Sequence, residues 1–270
     1  METRKSRIIQ WLEREEKKNN WFVILVTQPS VYLNSLIRRT IMMGVFLFAL
    51  YEILTSFDIT HEAMPTTFHG IVGLVIGLLL VFRTNTAYDR WWEARKLFGS
   101  IHAAFILVRT NLGDNSGDSL ISSLKKMNNH MFKFLSESEL NLSDETRDEF
   151  LKEYISIMKF VKSEKLSLNV ERKMMDIMEH FCSLERIKDT PIPLSYSLHI
   201  KLSLFAYLTI LPFSLFFGMG IWAIPLVMVL FFIIAGIEII SNEIENPFRG
   251  DPNDLPMESL RLENEKAIDG

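Results

Sequence analysis

The chain has few groupings of side chains that could do chemistry. Its one cysteine, Cys182, excludes an intrachain disulfide and a zinc site built on paired cysteines. No pair among the six histidines has the spacing of metal ligands on one helix; the six are His61, His69, His102, His130, His180 and His199. A phosphate-binding glycine loop and a serine nucleophile motif are also missing from the sequence. We therefore expect no enzyme activity, no bound metal and no cofactor.

The charge balance argues against a nucleic-acid partner. Lys and Arg total 29 and Asp and Glu total 33, which gives a net charge of −4. A chain of this charge has no overall attraction for a polyanion. Hydrophobic residues make up 48% of the chain and charged residues 23%, and the two populations occupy separate stretches.

One apolar helix has a pattern that could conduct ions. Leu74, Leu78 and Phe82 recur every four residues, so they lie on one side of a helix. If this helix is nearest the axis of a symmetric oligomer, the three side chains form apolar rings, and such constrictions gate ions by dewetting. Ordinary core packing gives the same spacing, and on spacing alone it is the stronger interpretation. Gly73 and Gly77, four residues apart, likewise favour close packing against another helix.

Four apolar segments indicate helices that cross a membrane. From Leu202 to Ile237 the chain has no charged residue, and these 36 positions suffice for two spans of roughly 20 residues each. The sequence Gly218-Met219-Gly220 predicts the turn between them. Thr40 to Leu54 and Ile71 to Phe82 supply the first two spans. The alternative, a large soluble helical core, fits poorly with a charge-free run of this length.

Basic residues near the ends of these segments predict the orientation. The positive-inside rule places such residues in the cytosol; here they are Arg38, Arg39, Arg83, Arg90, Arg95, Lys96, Lys201 and Arg249. Both termini are therefore expected in the cytosol, and the protein is expected to be a multi-pass protein of the cell membrane. Because the N-terminus has no signal-peptide pattern, we expect no processing.

These observations predict an all-α membrane protein with four transmembrane helices and a helical cytoplasmic domain. Ser143 is expected to cap one cytoplasmic helix. Helical spacing predicts two buried stripes, which are Leu151, Tyr154, Ile155, Met158 and Val161 on one helix and Met174, Ile177, Met178 and Phe181 on another. The expected organisation is an N-terminal cytoplasmic helix (1–34), the first two transmembrane helices with a cytosolic extension (35–98), a cytoplasmic helical domain (99–198), the third and fourth transmembrane helices (199–240) and a cytoplasmic C-terminal segment (241–270).

The run GLLLVFRTNTAYDRWWEARKLFG, from Gly77 to Gly99, resembles the bestrophin family. In that family this helix begins as a pore liner and continues into the cytosol past an arginine and an aromatic residue. Two further segments, RIKDTPIP (Arg186 to Pro193) and IENPFRGDPNDLP (Ile244 to Pro256), are similar to the family's other marked segments. Their order and spacing match the family and agree with the four predicted spans.

The resemblance implies a homopentameric ion channel with one axial pore. It implies a narrow neck at Leu74, Leu78 and Phe82 and a cytosolic aperture at Ile192, which lies between two prolines that fix the local backbone. Animal members bind calcium through an acidic cluster after an Asn-Pro-Phe motif. In this chain the motif is followed by Arg249 and two separated carboxylates, whereas calcium takes six to eight oxygen ligands. We therefore expect opening without calcium.

The resemblance leaves the conducted ion open. Animal relatives favour chloride, bacterial relatives include cation channels, and the predicted rings have no charge, so chloride and sodium are both candidates. Asp58 and Glu62 in the outer loop predict enrichment of cations at the outer mouth of a pentamer. An outer loop without Lys or Arg also follows from the positive-inside rule alone.

Two other classes of function stay open. One is a secondary transporter, for which Glu52 and Glu238 could couple protons, although the sequence has no internal repeat. The other is a membrane scaffold whose cytoplasmic domain binds partners, which predicts no ion flux from the purified protein. The partners expected of a channel are inorganic monovalent ions, the lipid bilayer and further copies of this chain.

Overall fold

The computed structural model describes residues 31–57, 66–112, 118–137, 140–164, 167–251 and 253–270. Within these ranges every element of regular secondary structure is a helix, as the predicted all-α class requires. The predicted N-terminal helix lies outside the described residues up to position 30. The helices, in chain order, are α1 (Val31–Ser56), α2 (Thr66–Leu112), α3 (Asp118–Ser136), α4 (Leu140–Ser163), α5 (Leu168–Asp189), α6 (Leu194–Met219), α7 (Ala223–Glu245) and α8 (Met257–Asp269).

Helix α2 is much longer than a bilayer is thick. Its 47 residues extend about 70 Å at 1.5 Å per residue, more than twice the roughly 30 Å of a hydrocarbon core. The helix is continuous from the apolar run that ends at Phe82 into the charged stretch from Arg83 to Lys96. One continuous helix therefore contains both the predicted neck residues and the residues that follow them.

Two stretches of the described chain are long and apolar enough to cross a membrane. They are Thr67–Leu112 and Leu194–Glu245, in which 18 consecutive residues reach a mean hydropathy of 1.8 and 2.7 respectively. The second stretch contains α6 and α7, which are joined by a single 3₁₀ turn, Gly220–Trp222. Gly220 has a φ of +57°, a conformation that favours glycine. The chain therefore reverses at the glycine pair that separates the two apolar helices.

One compact unit combines the described part of Met1–Gly73 with Leu204–Ile239. Its small core consists of Leu47, Leu211, Phe216, Ala223 and Val227. Many of its other large apolar side chains are exposed, among them Met42 (65%), Val45 (66%) and Phe205 (71%). Apolar exposure on this scale is typical of a surface that lipid covers.

The other unit combines Leu74–Ser203 with Ile240–Gly270 and has an extensive buried core. Aromatic rings fill it: Phe150 stacks on Phe181 with 3.9 Å between the ring centroids, and Phe98 stacks on Phe132 at 5.1 Å. Helix α8 is joined to α3 by a buried amide pair, in which Asn264 donates to Asn128 Oδ1 over 2.9 Å. This core holds the C-terminal half of α2.

The two predicted stripes contribute to this core with one exception. Ile155 is 50% exposed, so its assignment to the core is wrong. The buried side of α4 is centred on Phe150, Ile157 and Val161, and Ile155 lies about a third of a turn or more away from it. The remaining stripe residues are buried or packed against the core: Leu151, Tyr154, Met158, Val161, Met174, Ile177, Met178 and Phe181.

The predicted cap at Ser143 is also wrong. Helix α4 begins at Leu140, so Ser143 lies inside its first turn. Its hydroxyl accepts a hydrogen bond from Lys188 Nζ over 2.6 Å instead of capping the helix. The side chain thus joins α4 to α5, a role that local sequence does not reveal.

Candidate ion pathway along helix α2

Three side chains of α2 form an exposed row that we call the neck face: Leu74, Leu78 and Phe82. Their exposed fractions are 74%, 52% and 53%. The opposite side of the helix is packed, since Leu80 is 3% exposed and Ala87 is fully buried. The chain therefore packs against one side of α2 and leaves the neck face uncovered.

The two predicted packing glycines of α2 differ. A Cβ added to Gly73 lies 3.0 Å from Tyr207 Oη, so this glycine allows close approach of α6. A Cβ added to Gly77 meets no atom within 4 Å. Within one subunit, the packing interpretation therefore applies to Gly73 and leaves the surface beside Gly77 open.

Directly after the neck face begins a cluster joined by polar contacts that we call the junction: Arg83, Arg90, Glu245 and the backbone of Ile192. Arg83 is 1% exposed, donates to Asn242 Oδ1 of α7, and has its Nη2 3.7 Å from Glu245 Oε2. A buried guanidinium is stable only with a paired charge and hydrogen bonds, so these contacts hold α2 against the end of α7.

Arg90, two turns further along α2, binds three backbone carbonyls. Its Nε donates to the carbonyl of Glu245 over 3.1 Å. Its two terminal nitrogens donate to the carbonyls of Ile187 and Thr190, each over 2.6 Å. The planar fork of one arginine therefore joins three elements: α2, the end of α7, and the end of α5 together with the residue that follows it.

Ile192 lies in the short segment between α5 and α6. Its side chain is 7% exposed, whereas Pro191 and Pro193 on either side are exposed. Its backbone N–H donates to Glu245 Oε1 over 3.3 Å. The predicted aperture residue therefore packs against its own subunit, unlike the three residues of the neck face.

The junction contains residues to which sequence reasoning gave no site role. Arg83 and Arg90 served only to predict orientation, and Glu245 was not singled out. A usable signal existed, because Arg83 follows an uninterrupted apolar run directly and a charge there needs a partner. The partner was hidden, since Glu245 is 162 positions away in the sequence.

The segment between α7 and α8 is held by hydrogen bonds among its own residues and their neighbours. The backbone N–H of Asp251 donates to Asp254 Oδ2 over 2.8 Å, and Asn253 Nδ2 donates to Glu243 Oε2 over 2.6 Å. Trp91 Nε1 of α2 donates to the Asn253 carbonyl over 3.1 Å. Burial raises the pKa of the Asp254 carboxyl to about 6.

Within the described ranges, no three or more His, Cys, Asp or Glu side chains are grouped closely enough to hold a metal ion. Calcium-independent opening therefore stays a prediction that only measurement can test. The predicted outer-mouth residues, Asp58 and Glu62, lie outside the described residues. Of the two carboxylates considered for proton coupling, Glu52 is exposed and Glu238 is partly buried.

Comparison with known proteins identifies the family. The model of the family described as Bacterial/Fungal Bestrophin protein matches residues 12–156 and 109–269, which together include nearly the whole chain. This chain belongs to the bestrophin family. Its predicted membership, based on three motifs, is thereby confirmed.

Individual relatives agree with this membership. This bestrophin is 30% identical to a voltage-dependent anion channel-forming protein of a Nostoc species, over 93% of this chain and 92% of that protein. It is 24% identical to the voltage-dependent anion channel-forming protein YneE of Escherichia coli K12, over 80% of each chain.

The fold of this bestrophin matches solved structures. A crystal structure of a bacterial bestrophin homologue from Klebsiella pneumoniae superposes with a TM-score of 0.70 at 19% identity, over 87% of this chain and 97% of that one. A further crystal structure, described as that of a membrane protein, superposes with a TM-score of 0.74 at 18% identity, over 86% and 97% of the two chains. The all-α fold of these membrane proteins is therefore shown over 86–87% of this chain.

Proposed function

We propose that the protein is a passive ion channel in which five copies surround one axial pore, with the neck face of α2 turned toward the axis. The observation that carries this proposal is the exposure of Leu74, Leu78 and Phe82 on a helix whose other side is packed. Helix α2 continues from this row without a break into a charged stretch. In a ring of subunits the same three side chains form successive apolar constrictions that gate by dewetting.

The conducted ions are monovalent, and we propose chloride as the first candidate. Support comes from the relatives, because the matched proteins of Nostoc and Escherichia coli are both named as anion channel-forming. Sodium is the alternative, since the neck face has no charge that favours either sign. Asp58 and Glu62 are proposed to lie at the outer mouth, where they would favour cations.

Ile192 is proposed to form a second constriction on the cytosolic side. The junction supports this position, because Glu245 accepts the backbone N–H of Ile192 and Arg90 binds the carbonyl of Thr190, two residues before it. The exposed prolines beside Ile192 keep the segment at the subunit surface and restrict its backbone. The low exposure of the Ile192 side chain means that a change in its contacts with its own subunit accompanies any widening.

We propose further that both termini lie in the cytosol, that the membrane is the cell membrane, and that opening needs no calcium. The domain boundaries given above follow the same arrangement. Basic residues at the cytosolic ends of the apolar segments support this orientation. A thiol reagent that does not cross membranes tests it: in a Cys182→Ser background, which removes the exposed native thiol, a cysteine added at either terminus should react only from the cytosolic side.

Planar bilayer recording of the purified protein tests the function itself. With calcium chelated and a gradient of sodium chloride, we expect a current whose reversal potential lies near the chloride potential. A reversal near the sodium potential makes the protein a cation channel. Saturable exchange without single-channel steps indicates a transporter, and the absence of any flux indicates a scaffold.

Native mass measurement tests the assembly. We expect a species of five times 31.4 kDa plus bound lipid or detergent. A dominant monomer or dimer contradicts the axial pore.

A further inference from the structure

We propose that Asp89 forms a ring of carboxylates at the cytosolic end of the neck and shifts the charge selectivity of the channel toward cations. This inference rests on the proposed pore, because the ring exists only if the neck face of α2 lines an axis. It adds a charged selectivity element to a pathway that otherwise consists of apolar rings.

Helical geometry places Asp89 on the same line as the neck face. At about 100° per residue, the eleven residues from Leu78 to Asp89 bring the two side chains within roughly 20° of each other around the helix. They are about 16 Å apart along the helix axis. Arg83 and Ala87, which are 1% and 0% exposed, occupy the opposite side of the same stretch. Asp89 therefore belongs to the side of α2 that one subunit leaves uncovered.

The Asp89 carboxylate has no competing role in the described part of the subunit. It is exposed, and among the described residues no hydrogen-bond donor or cation contacts it. The adjacent Arg90 is committed to three backbone carbonyls on other elements, so it does not neutralise Asp89 through a contact. An unpaired carboxylate at this position acts electrostatically on the ions that pass it.

A ring of five such carboxylates lowers the concentration of anions and raises that of cations at the inner end of the neck. The direction of this effect is the same whether the channel as a whole prefers chloride or sodium. The potential is also screened by salt, since the Debye length falls from roughly 30 Å at 0.01 M to 3 Å at 1 M.

Lys96 provides an internal control of opposite sign. It lies seven residues beyond Asp89, about two turns further along the same side of α2, and it is also exposed. If this side faces the axis, removal of the Lys96 charge shifts selectivity away from anions, whereas removal of the Asp89 charge shifts it toward them. A role in subunit folding alone does not predict opposite shifts.

Reversal potentials in a sodium chloride gradient test the inference. We expect Asp89→Asn to raise the chloride-to-sodium permeability ratio by roughly threefold or more at 0.01–0.1 M salt, with a smaller effect at 1 M salt. Lys96→Gln should lower the ratio. Glu179→Gln, which removes one exposed carboxylate from α5, serves as the matched control and should leave the ratio unchanged.

A second variant keeps the inference falsifiable if Asp89→Asn folds poorly. Asp89→Cys in a Cys182→Ser background, which removes the exposed native thiol, allows charge to be added to the assembled channel. A cationic thiol reagent applied from the cytosolic side should raise the chloride-to-sodium ratio, and an anionic reagent should lower it.

Equal permeability ratios for wild type, Asp89→Asn and both thiol adducts, all with measurable current, overturn the inference and leave the proposed channel intact. A wild-type protein that passes no current overturns the proposed function and this inference with it. The two failures are therefore distinguishable in one set of recordings.

Discussion

The neck face and the junction are neighbours on α2, yet they are built in opposite ways. Leu74, Leu78 and Phe82 are apolar and at least half exposed, and one subunit gives them no cover. Arg83 follows Phe82 directly and is 1% exposed, with its guanidinium held by Asn242 and Glu245. Polar side chains are thus buried and apolar side chains are exposed within a few residues of each other.

This difference indicates that the two regions contribute to different properties, the junction to folding and the neck face to the proposed ion pathway. The junction contributes to the folding of one subunit, because its partners are all present in that subunit. The neck face contributes little to that folding, and its exposed apolar side chains agree with the proposed contacts with other copies of the chain. Substitutions in the junction should therefore change stability and current together, whereas substitutions in the neck face should change current alone.

The largest effect is expected for Arg90→Ala. It removes three hydrogen bonds from a charged group to carbonyls on other elements, which should lower the free energy of unfolding by roughly 4 kcal/mol. Thermal unfolding of the detergent-solubilised protein measures this loss. Arg90→Lys keeps the charge without the planar fork, so it should recover only part of the stability. Full recovery with lysine would mean that charge alone, and not the fork, holds the three elements.

Ile192→Ala compares the two constrictions directly. Because Ile192 is 7% exposed, its truncation should cost roughly 3 kcal/mol of stability. Leu74→Ala, at a position that is 74% exposed, should change stability by less than about 0.5 kcal/mol. Equal stability losses for the two variants would contradict the distinction between the junction and the neck face.

Glu245→Gln should have an intermediate effect. The amide oxygen can still accept from the N–H of Ile192, but Arg83 loses the negative charge that faces it, at a cost of roughly 2 kcal/mol. Glu243→Gln is the matched control, since among the described residues Glu243 accepts one exposed hydrogen bond, from Asn253, and its substitution should cost under about 0.5 kcal/mol. We expect the Glu245→Gln protein to unfold at a clearly lower temperature than the Glu243→Gln protein. Superimposable unfolding curves would mean that Glu245 does not stabilise the junction.

The smallest effect is expected at Asp254, outside both regions. Its folded-state pKa is raised from 3.8 to about 6 by burial, so the stability it contributes is present at low pH and is lost as pH rises through 6. Asp254→Asn removes this dependence. Relative to wild type, the variant should be more stable at pH 8 than at pH 5, by about 1 to 3 °C in Tm. An unchanged Tm difference between the two pH values contradicts the raised pKa.

Sequence patterns were sufficient for the helices and the membrane assignment, because both depend on local apolar spacing and segment length. The charge-free run from Leu202 to Ile237 and the glycines at its centre predicted a hairpin, and α6 and α7 meet at Gly220. Three motifs predicted the bestrophin family, which the family match confirms. The neck residues stay a prediction, although their exposure in one subunit agrees with it.

Long-range pairing was not predictable from the sequence. From the sequence, Arg83 indicates only membrane orientation, because its partners on α7 are more than 150 positions away. The partners of Arg90 are backbone carbonyls, which every residue has, so no residue type in the sequence points to them. Ser143 was assigned as a cap because it precedes two acidic residues, whereas its actual partner, Lys188, is 45 positions away. In each case a tertiary contact, and not the local sequence, determines the role of the side chain.

One measurement tests the neck face most directly, and the chain supplies its control. Phe82 of α2 and Phe48 of α1 are 53% and 50% exposed, so truncation of either removes the same side chain at nearly the same exposure. We predict that Phe82→Ala raises single-channel conductance or open probability severalfold, because a wider and more easily wetted ring lowers the barrier to ions. Phe48→Ala should leave both unchanged. Wild-type currents in Phe82→Ala, or equal changes in the two variants, would contradict the proposal that the neck face of α2 lines the ion pathway.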